Sequence, residues 1–186
     1  DYDNEVVFPF GYGLSYTTFS QEFSETPTFS PETNEYTFKV RVTNTGNVAG
    51  KEVAQIYVNA PYIDGGVEKA HVVLGGFGKT GLLDANESEI LEIKINRDYF
   101  TSYDYKVEKC YILDKGNYNF YLSDNAHSWS EIDELATGKD KVLYTDYLDN
   151  KVVFKDSEDG KRPTDLTTAV NKEDDELNYK FADYTE

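Results

Sequence analysis

Thirty-five aspartates and glutamates are the groups in this chain most able to do chemistry. Two carboxyl groups held close together can divide the roles of acid, base and nucleophile. With so many carboxylates some pairs must be close by chance, and none stands in a motif that marks a catalytic pair. His71 and His127 are the only histidines. They are too far apart for the clustered spacing of a metal site and read as strand-end or loop residues. Asp64-Gly65-Gly66 and Asp156-Ser157-Glu158-Asp159-Gly160 are oxygen-rich turns. The second departs from the EF-hand loop, which needs acids at alternating positions and a glutamate at the twelfth. Both read as structural turns, and no metal or cofactor is expected. Cys110, the only cysteine, excludes an intrachain disulfide framework and reads as a packing residue. Asn86-Glu87-Ser88 is a glycosylation sequon of a kind that also arises by chance.

Any such group must be positioned by strands. Tyr36, Phe38, Val40 and Val42 alternate with Glu35, Thr37, Lys39 and Arg41. Ala54, Ile56 and Val58, then Leu91, Ile93 and Ile95, then Tyr118, Phe120 and Leu122 repeat the period of two that marks a half-buried strand. Turn-formers separate them, at Asn44-Thr45-Gly46-Asn47, Asp64-Gly65-Gly66, Asp84-Ala85-Asn86 and Asp114-Lys115-Gly116-Asn117. No segment before residue 130 has a helical period. Strands are predicted near 15–24, 35–44, 51–59, 70–78, 87–96, 103–112 and 117–123, with a short edge strand at 129–133. Strands this short, at this spacing, form an antiparallel β-sandwich.

Beyond residue 136 charged runs take over, among them Lys172-Glu173-Asp174-Asp175-Glu176, interrupted by Val142-Leu143-Tyr144 and Val152-Val153-Phe154. This stretch reads as an acidic linker, with Val152–Phe154 adding a strand or docking. The formal charge of −17 is spread along the whole chain. It disfavours nucleic acid and anionic membrane, since phosphate binding needs Lys/Arg clusters that are missing here. No apolar run is long enough to span a bilayer. The chain contains no methionine and opens on Asp-Tyr-Asp-Asn, so it is read as a segment of a longer protein whose compartment stays open.

The stretch Phe8-Pro9-Phe10-Gly11-Tyr12-Gly13-Leu14-Ser15-Tyr16-Thr17-Thr18-Phe19 sets aromatics around a proline, then a Gly-x-Gly hinge, then a strand-like run. It resembles the segment that leads into the fibronectin type III-like domain of family 3 glycoside hydrolases, the β-glucosidases and their relatives. Asn44-Thr45-Gly46-Asn47-Val48-Ala49-Gly50-Lys51-Glu52-Val53 is similar to that family's strand–turn–strand, with Asn44 and Gly46 suited to a tight turn and Gly50 to a bulge. Leu74-Gly75-Gly76-Phe77-Gly78-Lys79, Asp84-Ala85-Asn86-Glu87-Ser88, Ser102-Tyr103-Asp104 and Gly116-Asn117-Tyr118 follow in the family's order over residues 6–133. Where the family often carries a tryptophan, this chain has Cys110-Tyr111-Ile112-Leu113, and Tyr111 or Ile112 is expected to fill the slot.

The resemblance implies an all-β, fibronectin type III-like (immunoglobulin-like) antiparallel β-sandwich over 15–135. Residues 1–14 would connect it to a preceding catalytic domain and 136–186 would lead toward a following one, as in members with permuted order. It implies a non-catalytic accessory domain that braces the catalytic domains of a retaining β-glucosidase. No catalytic residue carries over. Phe8, Phe10, Tyr12, Leu14 and Tyr16 are the candidates for contact with a catalytic domain of the same chain, the alternative being that they fold back on their own sandwich. A rival reading is a module that binds polysaccharide, and a third is a plain spacer. For the rival the candidate is Trp129, the only tryptophan, which could stack on a sugar ring or pack at a core edge.

Overall fold

Strict alternation along one long strand organises the molecule. In the computed structural model, which describes residues 5–127 and 143–154, the ten residues Glu35–Asn44 form β3 with every second side chain buried. The strands before it are β1 (Phe19–Phe23) and β2 (Thr28–Ser30). Those after it are β4 (Val53–Asn59), β5 (Val73–Lys79), β6 (Ser88–Asn96), β7 (Ser102–Asp104), β8 (Cys110–Leu113), β9 (Gly116–Ser123), β10 (Leu143–Leu148) and β11 (Val152–Phe154).

All the pairings are antiparallel. β6 runs the length of β3, and β1 and β2 share its other edge. A second four-stranded sheet has the order β10-β9-β4-β5, and a small third sheet has the order β11-β8-β7. The two larger sheets enclose one core. Tyr36, Phe38, Val40 and Val42 of β3 and Leu91, Ile93 and Ile95 of β6 pack with Ala54, Ile56 and Val58 of β4 and Tyr118, Phe120 and Leu122 of β9. These are the four alternating runs read from the sequence, and burying each large side chain contributes about 1.5–3 kcal/mol. Aromatic rings form the centre, with Phe120 at 4.7 Å from Tyr36 and 5.2 Å from Phe38. The molecule is the expected all-β sandwich.

Several local features depart from the expected strands. The single strand expected at 103–112 is two, β7 and β8, because Asp104 Oδ1 accepts from the backbone N–H groups of Lys106 and Val107 and folds the chain into a turn. Gly50 makes an isolated bridge with Leu83, and the irregularity expected there lies at Ile56/Tyr57, where β5 carries the extra residue Gly75. A Cβ on Gly76 would stand 2.9 Å from Ile95 Cγ1, so glycine lets β5 approach β6. Of Tyr111 and Ile112, Ile112 is the buried one, while Tyr111 sets its ring against Tyr103. Cys110 is buried, as expected of a packing residue.

Two strands lie within the stretch read as a linker. β10 pairs with β9 over six residues and β11 pairs with β8 over three. A four-residue 3-10 turn, Arg97–Phe100, follows β6. Its Arg97 guanidinium lies 3.6 Å above the centre of the Phe29 ring, donates to the Tyr36 hydroxyl and binds Asp146 of β10 at 3.0 Å. The Tyr36 hydroxyl donates to the same carboxylate. Burial and that carboxylate hold the hydroxyl well above its usual titration range. The edge strand expected at 129–133 and the turn at Asp156–Gly160 lie outside the described residues.

Candidate interdomain-docking site

The outer face of β4 exposes little to solvent, although its alternation leaves Gln55 and Tyr57 pointing away from the core. Gln55 is 8 % and Tyr57 0 % exposed. Part of their cover is the backbone of the N-terminal arm, residues 5–18. Proline and glycine shape that arm. A turn closed by Tyr12 N–H to Pro9 O, at 3.0 Å, has Gly11 in the left-handed region with φ 85°. A Cβ at Gly11 would strike both the Gln55 amide and the Tyr57 hydroxyl, so this position requires glycine on two counts.

Side chains of β4 grip the arm's carbonyls. Gln55 Nε2 donates to Gly11 O at 3.0 Å and to Asp124 O at 2.9 Å. Tyr57 donates its hydroxyl to Gln55 Oε1 at 2.8 Å and lies 3.3 Å from Phe10 O, which also accepts from Ala126 N–H at 2.8 Å. Further on, Thr18 O accepts from the N–H groups of Thr45 and Gly46, and the Thr17 hydroxyl donates to Asn44 Oδ1. The arm is therefore held at its middle, through Phe10 and Gly11, and at its end, through Thr17 and Thr18.

Its side chains are not. Phe8 and Phe10 are each 67 % exposed, Leu14 88 % and Tyr16 99 %; Tyr12, half covered, rests its ring 5.2 Å from that of Phe8. Of these five residues Phe10 has its backbone bonded to the sandwich, and the apolar side chains of Phe8, Phe10, Leu14 and Tyr16 are largely exposed. Trp129 lies outside the described residues.

Between the arm and the start of β4 lies a cleft of about 730 Å³, lined among others by Leu14, Gln21, Glu52, Phe77 and Asp124. Burial, and then the neighbouring Asp124 carboxylate, push the Glu52 carboxyl above the usual range, while Val53 N–H, donating to Glu52 Oε1 at 2.8 Å, acts the other way. The Gln21 Oε1 atom is buried with no hydrogen-bond partner among the described residues. No histidine, serine–histidine pair or cysteine stands in this cleft, and no group of three or more metal-ligating side chains occurs among the described residues. His71 is exposed and accepts at its backbone oxygen from Asn59; Asp64-Gly65-Gly66 is a turn closed by Gly66 N–H to Ile63 O. The arrangement suits recognition of a surface.

The sequence reading named the arm but missed Gln55 and Tyr57, which hold it. The available signal was Tyr57 itself, a large ring at an outward position of a strand whose other face is core.

A family model for the fibronectin type III-like domain matches residues 52–126. Over 167 residues the chain is 36 % identical to β-glucosidase A of Butyrivibrio fibrisolvens, a match covering 80 % of this chain and 19 % of that protein. A β-glucosidase structure from Paenibacillus barengoltzii superposes with a TM-score of 0.67 at 31 % identity, over 81 % of this chain and 16 % of that one. A GH3 β-glucosidase from Bifidobacterium adolescentis gives 0.62 at 26 % identity, over 80 % and 19 %. The sandwich is a fibronectin type III-like domain of the family 3 glycoside hydrolase kind. The chain spans less than a fifth of the length of each of these relatives.

Within this fibronectin type III-like domain, Glu52 gives a pH-dependent expectation. Its raised carboxyl pKa means that ionisation costs the fold free energy at neutral pH. The cost fades as the pH falls through the folded pKa and is gone below the unfolded value of about 4.3. Glu52→Gln keeps an acceptor for Val53 N–H. It is expected to raise the melting temperature at neutral pH and to leave it unchanged near about pH 3, where both side chains are uncharged. Thermal denaturation at the two pH values checks this; an equal shift at both would rule out the charge as the cause.

Proposed function

We propose that this chain is the non-catalytic accessory domain of a family 3 glycoside hydrolase, a β-glucosidase that hydrolyses β-glucosides in carbohydrate catabolism, and that it braces that enzyme's catalytic domains. One observation carries the reading: the arm's main chain is fixed by Gln55, Tyr57 and Ala126 while its large apolar side chains face away from the sandwich. Exposed apolar side chains on an arm pinned to the sandwich at Phe10 and Gly11 are suited to a partner that completes them. In this reading residues 1–14 connect from a preceding catalytic domain. The sandwich occupies 15–135 together with the strands up to residue 154, and the remainder leads toward a following domain. Bracing matters because reacting groups displaced by about 1 Å can lose on the order of a hundredfold in rate.

The test uses a full-length β-glucosidase carrying this domain, with Phe8, Phe10 and Leu14 all changed to serine. A kcat/KM at least about tenfold lower is expected. The same triple change in the 186-residue chain should leave its melting temperature within about 2 °C, since exposed substitutions move stability little. Unaltered kinetics in the full-length enzyme would exclude the bracing role.

A further inference from the structure

β4 has two ends. The arm and its cleft lie at the first, around Glu52 and Gln55, and a smaller cleft of about 240 Å³ lies at the other, beside Val58 and Ala60. Five strand residues separate Val53 from Val58, so the two clefts stand roughly 17 Å apart along the strand. Nothing in the bracing role uses the second.

Two tyrosines stand in its walls. Tyr103, on β7, is 48 % exposed, yet its hydroxyl donates to Lys109 O at 3.0 Å and its ring meets that of Tyr111 edge-on at 5.4 Å. Tyr99 is 63 % exposed and sits on the 3-10 turn, which is set by Asn96 Oδ1 accepting from Asp98 N–H and by the buried Phe100 beside it. Glu68 also lines the cleft, and the Tyr62 hydroxyl donates to its carboxylate at 3.0 Å. Lys69 is the third polar wall. Its side chain is only 6 % exposed, and its ammonium donates to Pro61 O and to Asp114 Oδ2, which leaves one of its three N–H donors over.

These features fit one class of ligand. Tyr103, its hydroxyl already bonded, and the exposed Tyr99 offer ring faces, and a ring face pairs with the apolar C–H face of a pyranose. The carboxylate of Glu68 accepts from a hydroxyl donor, as a sugar hydroxyl is. The Lys69–Asp114 pair is neutral as a unit, and the chain carries −17 overall, so an anionic polymer is repelled. The volume lies below the range of about 300–1,000 Å³ usual for drug-sized ligands and is of the order of one sugar ring. Tyr103, held in place before binding, loses little freedom on it.

We propose that the cleft between Tyr99, Tyr103 and Glu68 binds one ring of a neutral polysaccharide, at the end of the sandwich away from the docking arm. The binding reaction needs no covalent step. It is independent of the bracing role, and the assay uses the 186-residue chain alone, so failure of one reading leaves the other standing.

The experiment is affinity electrophoresis through native gels containing hydroxyethyl cellulose, mixed-linkage β-glucan, laminarin or xylan, with polygalacturonate as the anionic control. Retardation in one or more neutral polymers and none in polygalacturonate is expected. Tyr99→Ala and Tyr103→Ala should each raise the apparent dissociation constant about three- to tenfold, as loss of one ring contact implies. Tyr99→Trp, which keeps a ring face, should retain binding, and circular dichroism on each variant confirms the fold. No retardation in any neutral polymer would overturn the proposal. So would retardation that both alanine variants keep, retardation that only Trp129→Ala removes, or retardation by polygalacturonate.

Discussion

A chain ended at residue 135 is expected to lose on the order of 5 kcal/mol of stability and to melt as a loosened sandwich. That cut removes β10 and β11, and with them six residues of pairing along β9. Tyr144, whose ring stands 5.7 Å from Phe120 and 6.0 Å from Phe38, leaves the aromatic core, and so do Leu148 and Phe154 at its edge. Arg97 keeps its place over Phe29 but loses the Asp146 carboxylate, so a largely buried guanidinium is left without its acceptor. Arg97 and Asp146 are partly exposed and Tyr144 is partly buried, so each loss lies at or below the about 3–5 kcal/mol of a fully buried pair or aromatic. Urea denaturation of chains ended at 135 and at 156 measures the difference. Equal midpoints would mean that β10 contributes nothing to the fold.

Among polar side chains Asn44 carries a large expected effect: Asn44→Ala should cost on the order of 3 kcal/mol, or roughly 10 °C in melting temperature. Asn44 ends β3 with no exposed surface, and its amide makes four hydrogen bonds. Oδ1 accepts from Gly46 N–H at 3.0 Å and from the Thr17 hydroxyl at 2.8 Å; Nδ2 donates to Val48 O at 2.8 Å and to Leu83 O at 2.9 Å. One side chain thus joins the arm, the loop after β3 and the segment before β6. Alanine removes all four bonds from a buried side chain; Leu83 O still accepts from Gly50 N–H and Gly46 N–H still donates to Thr18 O, so the cost is that of the lost bonds, about 1 kcal/mol each. Asn44→Asp should fare no better, since a carboxylate has no donor for the two carbonyls. Thermal denaturation of both variants checks this, and a shift under about 2 °C in either would show that the four bonds are not needed.

The core was legible because its signal is a period of two. Tyr36 to Val42, Ala54 to Val58, Leu91 to Ile95 and Tyr118 to Leu122 are apolar on one face and polar on the other, and each became a core strand. Asn44 was legible as a turn residue but not as a buried hub, because its partners come from residues 17, 46, 48 and 83. β10 was hidden for the opposite reason. Leu143–Leu148 reads Leu-Tyr-Thr-Asp-Tyr-Leu, and its place is fixed by the free edge of β9 and by Arg97, neither of which is written in its own residues. The arm stood out by its aromatics, whereas its holders Gln55 and Tyr57 look like ordinary outward residues of a strand. The tyrosine cleft unites residues 58–73 with 99–103 through the close of the β4–β5 hairpin, a contact that no local pattern announces.

The central claim is that the arm's outward side chains meet a catalytic domain. Hydroxyl-radical footprinting tests it most directly, comparing the 186-residue chain with a full-length β-glucosidase that carries it. The account predicts that Phe8, Phe10, Leu14 and Tyr16 are oxidised readily in the isolated chain and are protected severalfold in the full-length enzyme. Equal oxidation of these four residues in both proteins would contradict it.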